Sequence, residues 1–292
     1  MSATPGKSSP LVGYQLLDSG EGRKLERIGP YILDRQAPQA IWPKRGDKSL
    51  WASAHGVHHR SDDGGGHWKF QKAVPDEWTV SWESLQLSIR PTPFGHIGIF
   101  PEHGAPARTL ADRIQRRVES GRPVSVLNLF AYTGASTLTF ARAGASCVHV
   151  DAAHGVVAWA RENAALSGLA DRPIRWIVDD CREFVEREAK RGRTFHGILL
   201  DPPTYGRGQK KQVWDIATDL TPLLQLLKKV LDPDPLFCLL SAHTPGYSPL
   251  TLANLLTDVL APSPKDLRSF EMSVDDERGR ALPSGAAALA LW

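Results

Sequence analysis

The chain predicts an α/β fold: a seven-stranded, mainly parallel sheet with helices on both faces, plus a small β-rich N-terminal module. Three observations carry this. From Val124 onward, short apolar runs rich in β-branched residues alternate regularly with helical stretches, the pattern of strands buried on both faces. Before that point, short apolar pieces such as YILD, AIW and WTVSW alternate with Gly-, Asp- and Pro-rich turns instead. Finally, 292 residues with 41% hydrophobic content suffice for one full α/β domain and a smaller module.

In chain order, residues 1–95 form the β-rich module, 96–123 a linker and a helix, and 124–292 the α/β domain. The module holds Trp42, Trp51, Trp68, Trp78 and Trp82, which either fill its core or stack on RNA bases. His55, His58, His59 and His67 surround a Gly-rich centre and lack a CxxC or HExxH partner motif, so the stretch reads as a hairpin tip and no metal site is expected. PTPFGHIGIFPEHG, residues 91–104, carries turn residues and leads to an arginine-rich helix over Arg108–Glu119. The strands expected after it are Val124–Phe130, Cys147–Val150, Ile174–Val178, His196–Leu200, Leu236–Leu240, Ser269–Val274 and Ala286–Leu291, the last two as a closing antiparallel hairpin.

The stretch VSVLNLFAYTGASTLTFARAGASCVHVD, Val124–Asp151, is the first β-α-β unit and the centre of the site. Its small-residue turn at Thr133, Gly134 and Ala135 lets the backbone approach a ligand and aims helix N–H groups at it. Asp151, alone at the second strand's tip, is placed to accept both hydroxyls of a ribose. A-Y-T-G-A-S stands where dinucleotide-binding chains carry G-x-G-x-x-G, so the expected ligand carries ribose and no pyrophosphate. Three further strand ends, Asn128–Ala135, Asp179-Asp180-Cys181 and Asp201-Pro202-Pro203, converge on the same edge.

LNLFAYTGA, the Asp151 strand end, ARENAALSGL and DPPTYGRG together resemble the class I S-adenosylmethionine (SAM) methyltransferases, most closely the bacterial large-subunit (23S) ribosomal RNA branch. The likeness runs from about Phe100 to the C-terminus, and LLDSGEGRKLERIGPYILDRQAPQAIW resembles the N-terminal module of a bacterial subgroup. It implies a Rossmann-like sheet and SAM as cofactor. It further implies cofactor contacts from Asn128, Phe130, Tyr132, Thr133, Gly134, Ala135, Asp151, Ala152, Asp180 and Cys181, and a catalytic turn of Asp201, Pro202, Pro203 and Tyr205. The stretch before Arg108 would pass over the cofactor. Relatives that make 5-methylcytosine carry a Ser-Cys-Ser-like segment after the fifth strand; here Ser241-Ala242-His243 stands there, so a mechanism without a cysteine adduct is implied, with His243 able to orient a substrate.

Formal net charge is +3, which excludes a pervasive basic field, so an RNA would be held by local patches: the N-terminal module and Arg207, Lys210 and Lys211. Three unpaired cysteines, the absence of a long apolar run and an opening MSATPGKSSP without an apolar core lead to the expectation of a cytoplasmic protein with no membrane partner. The expected activity is methylation of RNA, ribosomal by preference, without a cysteine adduct. A protein or small-molecule methyltransferase, a nicotinamide-dependent oxidoreductase and a non-catalytic RNA-binding scaffold are the alternatives.

Overall fold

The computed structural model describes residues 13–61, 65–207, 213–260 and 264–292. It divides into two compact units: Met1–Pro101 with Ser273–Pro283, and Glu102–Met272 with Ser284–Trp292.

The first unit contains β1 (Tyr14–Gly20), β2 (Arg23–Ile28), β3 (Tyr31–Gln36), the short helix α1 (Lys48–Ala52), β4 (Gly56–Arg60), β5 (Gly66–Phe70), β6 (Trp78–Trp82) and β7 (Leu85–Ile89). The first five strands form one sheet in sequence order, antiparallel except at β3–β4, and β6–β7 is a separate hairpin. Leu16, Leu25, Ile28 and Leu33 fill its interior, and Trp82 is fully buried. The other tryptophans named above are half-buried, and their indole N–H groups donate to Ser19 O, Asp18 Oδ2, Thr92 O and Ile28 O. Mostly apolar packing with one polar handle is what indole rings favour inside a small β module.

The histidines of this unit are likewise occupied within the fold. His58 is buried, with Nε2 3.0 Å from Pro93 O and Nδ1 3.3 Å from Gln36 Oε1. His55 Nδ1 accepts from Ile32 N–H, and His59 stacks on His67.

A 3-10 turn, Pro101–His103, leads the chain into the second unit and is followed by α2 (Gly104–Glu119). This helix starts earlier than Arg108 because Pro106 falls in the first turn, where a missing N–H costs nothing. There follow β8 (Ser125–Leu129), α3 (Ala135–Arg142), β9 (Ser146–Asp151), α4 (His154–Leu166), β10 (Ile174–Val178), α5 (Cys181–Lys190), β11 (Gly197–Leu200), the small hairpin β12 (Tyr205–Arg207) and β13 (Val213–Asp215), α6 (Ile216–Leu227), β14 (Phe237–Ala242), α7 (Pro249–Val259), β15 (Asp266–Asp275) and β16 (Ala281–Leu291). The sheet order is β10-β9-β8-β11-β14-β16-β15. Strands β10, β9, β8, β11 and β14 run parallel, and β16 is antiparallel to β14 from Phe237↔Leu291 to Ala242↔Ala286.

This is the expected seven-stranded Rossmann-like sheet. Two apolar layers cover its faces, one including Leu127, Val150, Ile198, Leu223 and Leu256, the other Leu110, Val126, Phe140, Phe237 and Leu289. The strand order changes direction beside β8, so the carboxyl ends of β8 and β11 flank the switch point where ligands of open α/β sheets bind. Strands β15 and β16 are longer than expected, and the tip of this pair, Ser273–Pro283, groups with the first unit. No helix among the described residues is long and apolar enough to cross a membrane.

Candidate active site

The loop between β8 and α3 is built from alternating left-handed residues. Phe130 has φ +54°, Tyr132 +50° and Gly134 +88°. Left-handed backbone at two non-glycine aromatic residues costs on the order of 1 kcal/mol or more each, and such strain persists where surroundings hold it. Here the holders are explicit. Tyr132 N–H donates to Asp151 Oδ2 at 3.0 Å, Ala131 N–H to Val150 O, and Phe130 N–H to Cys181 Sγ. A Cβ on Gly134 would stand 3.1 Å from Ala160 Cβ, so α4 also presses on the turn.

Underneath, Asn128 donates to Thr137 Oγ1 at 2.9 Å, Thr137 Oγ1 contacts His149 Nδ1 at 3.0 Å, and Asn163 donates to Thr133 O. Asn128, Thr133 and Thr137 are all buried. Asn128, through Thr137, and Asn163, through the Thr133 carbonyl, therefore support the loop from below. Burial drives the pKa of His149 down to about 3, so this ring is neutral at physiological pH and serves as a packed polar strut.

Asp151 ends β9 and accepts two backbone N–H groups, Tyr132 to Oδ2 and Ala153 to Oδ1. It is not the N-cap of α4, a position held by Ala153 without a side-chain bond. Each carboxylate oxygen offers about two lone pairs, so one on each remains for further donors. Burial raises its pKa, against the lowering by the two N–H groups, which leaves a carboxylate whose charged form additional donors would stabilise. A pair of ribose hydroxyls is such a donor set.

At the end of β10 the two neighbouring acids separate cleanly. Asp179 accepts from Asp180 N–H and pairs with Arg187. Asp180 is the N-cap of α5, accepting from Glu183 N–H at 3.0 Å through Oδ1. Cys181, the first residue of that helix, is buried, and burial pushes its thiol well above the usual range. Its contribution to a ligand would be through the backbone. Cys147 and Cys238 are buried free thiols pushed by burial to about 12, which leaves no thiolate at neutral pH.

The turn after β11 is more occupied than its sequence suggests. Pro202 is buried and Pro203 exposed, and the Pro203 carbonyl accepts the Trp214 indole N–H at 2.7 Å. Trp214 also packs on Phe130, with ring centroids 4.7 Å apart, and so ties this turn to the left-handed loop. Tyr205 is 53% exposed and free to stack on a planar group. Arg207 is placed only as backbone of β12, and Lys210 and Lys211 lie outside the described residues.

Asp201 is the electrostatic centre of the site. Oδ1 accepts from Ser241 Oγ at 2.6 Å and lies 3.5 Å from His243 Nε2; Oδ2 lies 3.3 Å from His103 Nε2. Glu102 Oε1 is 3.8 Å from His243 Nδ1. Burial alone would raise the Asp201 pKa, but His243 and His103 hold it well below the usual carboxylate range. Reciprocally, burial would lower that of His243, and the Asp201 charge outweighs it and raises it to about 9. Among the described residues, His103, Asp201 and His243 are also the group with the mutual spacing of a cation site. Glu102 and His103 were visible in sequence only as part of FPEHG, a stretch expected to lie near the cofactor.

Sheet order, switch-point loop and carboxyl-edge acids define a Rossmann-like fold with a candidate ligand site at its switch point. No family model matches the chain. A SAM-dependent methyltransferase from Agrobacterium tumefaciens, solved by crystallography, is 34% identical, superimposes with a TM-score of 0.91, and the match covers 97% of this chain and 92% of that one. The chain belongs to the SAM-dependent methyltransferases. Among curated proteins, "Ribosomal RNA large subunit methyltransferase K/L" of Shewanella frigidimarina is 30% identical over 220 residues, 71% of this chain and 30% of that protein. Its namesake from Methylococcus capsulatus is 39% identical over 109 residues, 37% of this chain and 15% of that protein. The matched region thus spans less than a third of either curated relative.

Proposed function

We propose that the chain transfers the methyl group of SAM to RNA, ribosomal RNA by preference, at an atom that needs no cysteine adduct. The observation that carries the cofactor assignment is Asp151 with one lone pair left on each oxygen, beside a loop that it holds itself. In this reading the backbone of Phe130–Ala135 takes the methionine portion, Asp151 and Ala152 the ribose, and Asp180 with the Cys181 N–H the adenine edge. Helix α3 has no side-chain cap, so its first-turn N–H groups would be available to the carboxylate end of the methionine.

SAM supplies a methyl group already activated on a sulfonium. The chain's task is therefore placement of donor and acceptor in line, with water excluded. Pro202 and Pro203 fix the turn that walls the acceptor, Tyr205 stacks on it, and Asp201 sets the local charge. Cys238, with its thiol at about 12, cannot act as a pyrimidine nucleophile, which favours nitrogen over carbon-5 as acceptor.

RNA is favoured by the similarity to ribosomal RNA large-subunit methyltransferases. The N-terminal module and Arg207, Lys210 and Lys211 would hold the phosphates, and the protein would act in the cytoplasm. A protein or small-molecule acceptor is the second reading, favoured by a net charge of only +3. Transfer of tritium from methyl-labelled SAM to separated RNA and protein fractions, from cells lacking the gene, tests the choice. Label in ribosomal RNA is the expected outcome, and label confined to protein or small molecules would move the assignment to the second reading.

A further inference from the structure

His103, Asp201 and His243 come from three separate places in the chain, and both histidines turn the same nitrogen, Nε2, toward the one carboxylate. His103 Nε2 lies 3.3 Å from Oδ2, and His243 Nε2 lies 3.5 Å from Oδ1. One donor atom from each residue falls within 4.8 Å of the other two. Ligands bound at about 2.1 Å around a tetrahedral ion stand about 3.4 Å apart. Each imidazole is therefore already at the separation of a coordinated neighbour from the carboxylate, which offers one oxygen to either side.

The three side chains are also held from behind. Ser241 Oγ donates to Asp201 Oδ1 at 2.6 Å. On the His243 ring, Nδ1 faces Glu102 Oε1 at 3.8 Å, and the Ser284 carbonyl accepts a further hydrogen bond. Gly285, with φ +134°, gives this ring its seat, since a Cβ there would stand 3.0 Å from Nδ1 and 3.1 Å from Cε1. A histidine that binds a metal through one nitrogen usually has a carboxylate or carbonyl on the other, which fixes the tautomer and the ring plane. His243 has this arrangement, with Nε2 on the Asp201 side. Its side chain is 35% exposed, whereas those of His103 and Asp201 are 11% and 18% exposed. Three protein ligands with one open side form the kind of site that keeps a coordination position for water or a substrate atom.

We propose that His103, Asp201 and His243 bind a divalent transition-metal ion of the zinc class, with Glu102, Ser241 and the Ser284 carbonyl holding the ligands in place. Two imidazole nitrogens beside one carboxylate favour such an ion over magnesium or calcium, which take oxygen donors. In the metal-free chain a proton between His243 and Asp201 takes this place, and the ion displaces it. The assignment stands on the cluster itself and holds whether the methyl acceptor is RNA, protein or a small molecule. Bound there, the ion would put a Lewis acid beside the Asp-Pro-Pro turn, able to accept a lone pair of an incoming group.

Calorimetric titration of zinc chloride into the full chain, stripped with a chelator beforehand, tests this. One ion per chain is expected, and cobalt chloride should give the visible absorption of a four- or five-coordinate ion with nitrogen ligands. His103→Gln, His243→Gln and Asp201→Asn should each weaken zinc binding by more than about 100-fold. Glu102→Gln should weaken it by about tenfold, the cost of losing a residue that only supports a ligand. His59→Gln combined with His67→Gln, which removes an exposed stacked pair in the first unit, should leave it unchanged. The proposal is overturned by zinc that does not reach one ion per chain, that survives in both single histidine variants of the site, or that is lost with the His59–His67 pair. Equal binding of magnesium chloride overturns it as well. Circular dichroism checks the fold of each variant; if His103→Gln, at a buried position, does not fold, His243→Gln on the exposed side decides alone.

Discussion

Tyr132 and Asp151, 19 residues apart, are joined by a 3.0 Å hydrogen bond from the backbone N–H of one to Oδ2 of the other. The acid assigned to the ribose thus also fixes the left-handed backbone beside it. Asp151→Ala should remove both functions and weaken SAM binding by about 10- to 100-fold, in keeping with loss of hydrogen bonds to a charged group. Isothermal titration with SAM measures it, and undiminished affinity would remove the ribose assignment.

Asp201→Asn should behave differently. It leaves the loop of Phe130–Ala135 untouched, so SAM affinity should stay within about threefold while turnover falls by about a hundredfold or more, since the charge that holds His243 is gone. Equilibrium dialysis beside single-turnover transfer separates the two.

Gly134→Ala tests the strain in the loop. The position has φ +88° and its new methyl group would meet Ala160 at 3.1 Å. A loss of about 1–3 kcal/mol is expected, seen as a lower thermal midpoint by a few degrees, with weaker SAM binding.

The His243–Asp201 pair should make stability depend on pH. A histidine whose folded pKa lies above its unfolded value of 6.5 contributes stability that is fully present below pH 6.5 and is lost as pH rises through about 9. Thermal midpoints between pH 6.5 and 9.5 should therefore fall more steeply in the parent chain than in His243→Gln. Parallel curves would mean that the pair contributes nothing measurable.

Trp214→Phe would keep the ring contact with Phe130 and delete the bond to the Pro203 carbonyl. An exposed, mobile turn is expected, with stability reduced by about 1 kcal/mol and turnover reduced more than SAM binding. Limited proteolysis in the 203–215 segment with and without SAM reads the change directly.

Much of the second unit was legible because its signals are local. Parallel strands announce themselves as apolar runs, and a lone acid ending β9 is a positional statement that periodicity alone locates. Resemblance alone assigns Asp180, in preference to Asp179, to the adenine edge; the structure shows that Asp180 is also the N-cap of α5, through the Glu183 N–H. The left-handed angles of Phe130 and Tyr132 were hidden, because neither residue type signals positive φ. The Glu102, His103, Asp201 and His243 cluster was hidden for another reason: its members lie up to 141 positions apart (243 − 102) and meet only where β11 and β14 run side by side. The role of Trp214 could not be seen, since nothing in a sequence tells where an indole N–H will point.

The grouping of Ser273–Pro283 with the first unit bears on how the protein is made. Leu16 bridges Asp276, Gln15 bonds Glu277, and Gln39 donates to Pro283 O. During synthesis β1 emerges some 260 residues ahead of the segment that completes its surroundings, which follows only after all of the parallel strands have been translated. The first unit is therefore completed only after the parallel strands of the second have been made, and a nascent chain halted before Ser273 would carry β1 without these partners.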